Sequence, residues 1–443
     1  MTSFWAEHAW LPTGLARSVR MVVSDGRFLS VEARAQRQPE DERLRGVVLP
    51  GLANAHSHVF QRSLRGRTQS SADNVLTWRT LMYEVADRLN PELYLALARA
   101  TFAEMALAGF TVVGEYHYLH HGPGGTRYAD PNAMGDALVK AAGEVGVRLT
   151  LLDTLYLRGG LTSEGHLPIE GAQARFADAS VEEWADRMSR IGQTEVLRRG
   201  AAIHSIRAVP REETSRAVAF VGDQPLHVYL SEQPAENLAC EMYYGCSPAR
   251  LLADVGVLGP ESTAVHATHV SDSDIALLAE AQSQVVVCPT SEADMADGMA
   301  PVHRLIDAGV PVAIGSDQHA IVDPFVELRE LEMHERLRTG ERGQVPTGEL
   351  VRVGSINGYQ SLGWYDGGSL AAGMLADFVT VDQDSVRTAG SKAAEIVYTA
   401  TAADVLGVWV GGRPIVTNGV HSFGPVGPLL REAFHLIREA AAG

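Results

Sequence analysis

Short apolar runs alternate with helical patterns through the middle of the chain, whereas both ends read as β. Runs near Val47–Leu52, Phe110–Gly114, Val147–Leu152, Ala201–Ile206, Leu226–Leu230, Thr263–Ala267, Val285–Cys288 and Val312–Gly315 predict eight strands. One intervening helix is clear. Asn90-Pro91 supplies its cap and first-turn proline, an apolar periodic segment follows, and Gly109 ends it. Eight strands separated by helical stretches is the count of a (β/α)8 barrel, an α/β architecture.

The N-terminal region places Asp25-Gly26 between the apolar runs Met21–Ser24 and Arg27–Val31, a strong hairpin signal. Near the other end, Ala376–Asp382, Val408–Val410 and Pro414–Val416 read as strands, the last two joined by Gly411-Gly412-Arg413. The expected organisation is a small β-sandwich domain built from 1–47 plus 366–422, and a barrel over 48–365. A C-terminal segment, 423–443, contains an amphipathic helix over Pro428–Ala442.

Length agrees with this division. The chain has 443 residues, which suits one barrel of about 250 residues plus a smaller domain. With 46% hydrophobic and 21% charged residues the composition is globular, which excludes a disordered chain, a coiled coil or a collagen-like repeat. No apolar run of about 18 residues appears, and Met1–Trp10 has no secretory pattern, so no membrane partner is expected. The three cysteines, Cys240, Cys246 and Cys288, form no CxxC pair, which disfavours a disulfide framework and points to a reducing cytoplasm. The formal charge of −17 argues against nucleic acid as a partner. An anionic small molecule would have to be met by local cations.

Barrel chemistry sits where strands end, and polar residues gather there: His56 and His58, Glu115 and His117, His204 and Arg207, Tyr229 and Glu232, His266, Thr290 and Glu292, and Asp317. In His56-Ser57-His58 the two imidazoles fall on one face of a strand and suit a single divalent ion. Asp317 adds a hard anionic ligand that also accepts a proton. Near such an ion His266 reads as a polarising group and Glu232 as a proton shuttle. Glu115 and Glu292 read as ordinary solvated carboxylates.

The runs Pro50–His58, Ser231-Glu232-Gln233, Val265–His269 and Gly315-Ser316-Asp317 resemble the amidohydrolase superfamily. Phe60-Gln61, Trp78-Arg79 and His204–Arg207 are most similar to formimidoylglutamate deiminases of bacterial histidine breakdown, and His117–His121 is a further matching stretch. The resemblance covers nearly the whole chain. It implies one divalent metal, usually zinc, on His56, His58, Asp317 and a strand-five residue, with Glu232, His266 and Asp317 as the catalytic group. It also implies that Gln61, Arg79, Tyr118, His204 and Arg207 hold the substrate, and that the enzyme is a homodimer. The reaction implied is hydrolysis of N-formimidoyl-L-glutamate to N-formyl-L-glutamate and ammonia. The two arginines make independent sense, because guanidinium groups bind carboxylates in a bidentate fork.

The sequence departs from the family at strand five, where Tyr229 replaces the expected ligand histidine. Three outcomes follow: phenolate ligation by Tyr229, a reach by His227 from deeper in the barrel, or weak or absent metal binding. Weakened or altered binding ranks first. Asp294 stands where the family tends to have asparagine, Ala296 where it has glycine, and Gln318 where it has a small serine. Beside the deiminase reading stand a relative acting on another amidine, guanidine or cyclic amidine, and a catalytically silent small-molecule-binding member.

Overall fold

A computed structural model of the chain describes residues 1–69 and 75–440, the side chains of 75–77 excepted. Strands β1 (Thr2–Leu11), β2 (Gly14–Ser24), β3 (Arg27–Glu32) and β4 (Glu42–Pro50) open the chain. The β2–β3 connection is the expected Asp25-Gly26 turn. Its φ angles of 52° and 76° match the positive φ that a type I′ turn needs at both central residues. β4 runs parallel to β1.

The second sheet begins with β5 (Leu52–Ser57), β6 (Phe110–His117) and β7 (Arg148–Leu155). A small hairpin of β8 (Gly160–Thr162) and β9 (Gly165–Leu167) interrupts it. It resumes with β10 (Leu197–Ser205), β11 (Leu226–Leu230), β12 (Ser262–His266), β13 (Gln284–Val287) and β14 (Val312–Ile314). Apart from the hairpin these strands pair parallel in chain order. A parallel bridge between Ser57 and Asp317 joins the last strand to the first, which closes the barrel. Every residue of β5, β6 and β7 is buried, as required of strands covered on both faces.

The first barrel strand is displaced from its expected position. The run Val47–Pro50 completes β4 and pairs with the terminal sheet, and the barrel begins only at Leu52. A single glycine separates the two sheets. A Cβ on Gly51 would meet Thr111 Oγ1 at 2.4 Å and the Tyr359 hydroxyl at 2.8 Å. One apolar run is thus shared between two sheets, which periodicity alone does not reveal.

Strands β15 (Phe378–Val381), β16 (Val405–Val410), β17 (Arg413–Thr417) and β18 (Val420–His421) return antiparallel onto β4. The β3 edge comes back through an Arg27–Leu375 bridge, so this small sandwich curls round its own core of Phe4, Met21, Phe28, Val48, Phe378 and Trp409. The Phe378 and Trp409 rings stack at 4.7 Å. The C-terminal helix Val426–Glu439 lies against helix Pro91–Ala108. That second helix is capped as expected, by the Asn90 side chain and by left-handed Gly109. Among the described residues no helix is long and apolar enough to cross a membrane.

Asp377 joins the two sheets. It accepts from Arg148 Nε at 2.6 Å and Nη2 at 3.0 Å, from the Tyr359 hydroxyl at 2.8 Å and from the Gly411 amide at 2.7 Å. Both ions are buried, so the pair persists because its hydrogen bonds are complete. Asp377→Ala leaves a buried guanidinium unpaired and should lower stability by about 3–5 kcal/mol. Denaturant unfolding measures this, and a loss under about 1 kcal/mol would show that the two sheets are held together elsewhere.

Candidate active site

The barrel closure brings the two ends of the strand series together. The His58 amide donates to the Asp317 carbonyl, and the Ser316 and Asp317 amides donate to the His56 carbonyl, each at 3.0 Å. Gly315 allows this approach. A Cβ there would lie 2.7 Å from His56 Cβ and 2.8 Å from its carbonyl oxygen. Left-handed backbone occurs at Ser231 (φ 49°), His266 (φ 73°) and Asp317 (φ 43°), each at or just past a strand end. Such conformations persist where the surrounding structure enforces them and are concentrated at functional sites.

His56, His58 and Asp317 converge, their donor atoms all within 4.8 Å of one another. Asp317 Oδ1 is 3.4 Å from Nε2 of both histidines. Donors bound about 2.0–2.1 Å from a tetrahedral ion stand roughly 3.3–3.4 Å apart. Among the described residues both nitrogens of buried His56 lack a hydrogen-bond partner, an expensive state for a polar group out of water. Burial, with the charges of His266 and His227, holds His56 well below the usual histidine range. Burial, with the neighbouring His56, brings His58 to about 3. Two neutral imidazoles and a carboxylate are the donor set of a divalent ion, and the residues fit one.

Tyr229 lies at the same place. Its hydroxyl is 2.6 Å from His58 Nε2, and its pKa is raised well above 10 by burial and by Tyr118 and Asp317. The phenol is therefore neutral. His227 does not reach the site, because its Nε2 bonds the Ser361 carbonyl at 2.8 Å.

Above this floor a cavity of about 360 Å³ is lined by Gln61, Arg79, Tyr118, His204, Arg207, Tyr229, Glu232, His266 and Asp317. Arg207 Nη2 donates to Glu232 Oε2 at 2.5 Å, and its Nε lies 3.7 Å from Glu236. Burial alone would raise the Glu232 carboxyl, but Arg207 and His266 bring it to about 2. His266 shows the opposite balance. Burial would lower it, whereas its bond to Glu292 and the charges of Glu232 and Asp317 raise it to about 10. The site thus holds an ionised carboxylate and a protonated imidazole side by side at neutral pH. Gln61 Nε2 donates to the Tyr118 hydroxyl at 2.8 Å. Arg79 stands exposed on helix Val75–Arg88.

Two carboxylates read as solvated are in fact buried. Glu115 accepts from the Ser57 hydroxyl at 2.6 Å and the Val59 amide at 2.7 Å, which fixes the backbone around the two histidines. Burial pushes it up to about 8. Glu292 accepts from the Cys288 amide at 2.9 Å and lies 3.2 Å from His266 Nδ1. Sequence reasoning also passed over Asn54 and His319, which share Ser316. Asn54 Nδ2 donates to the Ser316 hydroxyl at 2.7 Å, and His319 Nδ1 is 2.9 Å from it. The signal was their place beside the ligand motifs. Conversely His117, His120 and His121 do not line the cavity. His117 stacks on Tyr94. Two of the departures, Asp294 after strand seven and Gln318 after strand eight, meet each other, Gln318 Nε2 donating to Asp294 Oδ2 at 2.9 Å.

A family model described as the amidohydrolase family matches residues 47–415. The chain belongs to the amidohydrolase family. A second model, described as formimidoylglutamate deiminase HutF, N-terminal domain, matches residues 1–45 of this amidohydrolase. It is 33% identical over 441 residues to a formimidoylglutamate deiminase of Pseudomonas aeruginosa, covering 95% of this chain and 96% of the relative. It is 31% identical over 427 residues to an 8-oxoguanine deaminase of the same organism, covering 92% and 91%. A crystal structure of an amidohydrolase from Brucella melitensis superposes with a TM-score of 0.90 at 32% identity, covering 100% of this chain and 99% of that one. A zinc-bound adenosine deaminase from Xanthomonas campestris, 21% identical, shares the fold with a TM-score of 0.84, covering 100% and 99%.

Ala296 ends the short helix Pro289–Met295 beside the cavity in the left-handed conformation, φ 58° and ψ 35°. A Cβ in that region costs roughly 1–2 kcal/mol, partly offset by the greater chain entropy of glycine. Ala296→Gly should therefore stabilise the fold by about 0.5–1 kcal/mol. A lowered denaturant midpoint would show that the left-handed cap is not strained.

Proposed function

We propose that this chain hydrolyses N-formimidoyl-L-glutamate to N-formyl-L-glutamate and ammonia, with one divalent ion held by His56, His58 and Asp317. As an amidohydrolase the chain is a hydrolase of C–N bonds other than peptide bonds. The observation that carries the substrate reading is the union of this ligand floor with a cavity carrying Arg79 and Arg207. The likeness to a deiminase of that substrate supports it. In a chain of charge −17, guanidinium groups in a cleft are the expected means of holding a dicarboxylate.

The ion, zinc in this proposal, supplies Lewis acidity and lowers the pKa of water. Glu232, ionised, takes one proton from the attacking water and passes it to the imino nitrogen, and the second proton, from the hydroxyl left on the carbon, reaches the same nitrogen as the carbon–nitrogen bond breaks. The carbon–nitrogen bond to the imino group breaks, ammonia departs, and the formyl amide remains. His266 is held by Glu292 through Nδ1, which leaves Nε2–H to stabilise charge that develops at the reacting carbon's substituents. Asp317 assists proton movement. Gln61, Tyr118 and His204 position the formimidoyl glutamate skeleton. Arg79 receives a carboxylate at the mouth. Arg207 is already bound to Glu232, so a substrate carboxylate that draws Arg207 away also makes Glu232 a better base.

A second reading, a cyclic amidine as substrate, is favoured by the 31% identity to an 8-oxoguanine deaminase. The Gln318–Asp294 pair beside the cavity would then shape specificity.

Ammonia release from formimidoylglutamate by protein purified without chelator tests the first reading. Turnover is expected, with loss on chelation and recovery on adding zinc. Glu232→Gln should lower kcat by about 10²–10⁴-fold. Arg79→Met should act chiefly on KM, because the guanidinium meets the substrate away from the reacting carbon. No turnover with stoichiometric metal bound would instead point to the cyclic amidine reading.

A further inference from the structure

The Tyr229 hydroxyl is placed as a hydrogen-bond donor, and two contacts show it. His58 Nδ1 lies 3.0 Å from the Tyr116 carbonyl oxygen. A carbonyl only accepts, so Nδ1 carries the hydrogen and Nε2 offers a bare lone pair. The Tyr229 oxygen is 2.6 Å from that lone pair, a distance at which the phenol donates. Asp317 stands 3.4 Å from the same nitrogen, close to the roughly 3.3–3.4 Å between two donors on one tetrahedral ion. The tyrosine oxygen is much too near to share an ion with His58 without moving away. Its ring has little freedom to do so. It stacks on His266 at 5.4 Å, packs against Tyr116 at 4.8 Å and His204 at 5.1 Å, and has the Arg207 guanidinium 6.0 Å from its centroid. His56, in contrast, has no such competitor at either nitrogen among the described residues.

We propose that the Tyr229 hydroxyl competes with the metal for the His58 lone pair, so that this chain carries a lightly held, exchangeable metal centre. The inference rests on the reading that His56, His58 and Asp317 hold the ion. Ion entry requires the phenol oxygen itself to leave Nε2 and shift toward the cavity, which Tyr229 lines, against the packing of its ring. When the ion leaves, the hydroxyl satisfies the nitrogen again and the empty site keeps its shape. The hydroxyl thus stabilises the metal-free protein and opposes metal binding by the same bond.

Zinc titration against a chromophoric chelator tests this on the full chain, with wild type, Tyr229→Phe, Tyr229→His and His56→Ala compared. The phenylalanine ring keeps the packing and removes only the donor. Tyr229→Phe should tighten zinc binding by roughly two- to tenfold, the range of one net hydrogen bond. Its metal-free form should melt lower than wild type, and zinc should raise its Tm by more. Tyr229→His adds a nitrogen donor and should tighten binding beyond the phenylalanine variant. Weaker zinc binding by Tyr229→Phe would overturn the proposal by making the phenol a ligand, and unchanged affinity would overturn it by making the hydroxyl irrelevant. In both cases His56→Ala would still lose zinc. If wild type, Tyr229→Phe and His56→Ala alike fail to bind zinc, the metal reading itself is overturned.

Discussion

Closure of the barrel is the constraint on which the site depends. Ser57 and Asp317 are joined by a parallel bridge, and the amides of Ser316 and Asp317 reach the His56 carbonyl. Without that seam the His56-Ser57-His58 segment and the aspartate would belong to opposite edges of an open sheet. With it, three donor atoms meet on the barrel floor. The seam also explains the small residue at 315, where a side chain would displace His56. Glu115, Asn54 and His319 brace the seam from behind through Ser57 and Ser316.

The cavity sets cationic and anionic side chains against one another at close range. A strongly acidic chain presents Arg79 and Arg207 to one cleft and surrounds them with groups whose protonation is set by contact. Arg207 holds Glu232 ionised, and Glu292 holds His266 protonated. These are opposite displacements in neighbouring groups, each produced by several charged partners and in part by one another. Such paired displacement fixes a distinct protonation state on each group at neutral pH and is common at functional sites.

The convergence of His56, His58 and Asp317, and much of what lines the cavity above them, was legible in the sequence because polar residues gather at strand ends in a barrel and because the HxH and Gly-Ser-Asp motifs are short and local. Periodicity also found the helix over Pro91–Ala108 and the Asp25-Gly26 hairpin. It misplaced the first barrel strand, because β4 and β5 are separated only by Gly51 and local pattern does not say which sheet a strand joins. Glu115 and Glu292 were misread for a related reason. A glutamate past a strand is usually solvated, and only the folded chain shows that both carboxylates are covered and hydrogen-bonded. Tyr229 stood out as a departure, but its relation to His58 depends on two strands and a tautomer fixed by a third.

The salt bridge between Arg148 and Asp377 spans 229 positions of sequence, and that span has a consequence for synthesis. At about 5–20 residues per second, roughly ten to fifty seconds separate the appearance of the arginine from that of its partner. Until Asp377 is available the guanidinium of the third barrel strand has only water to solvate it, and the native ion pair that closes this site to water forms only after the C-terminal return has been made.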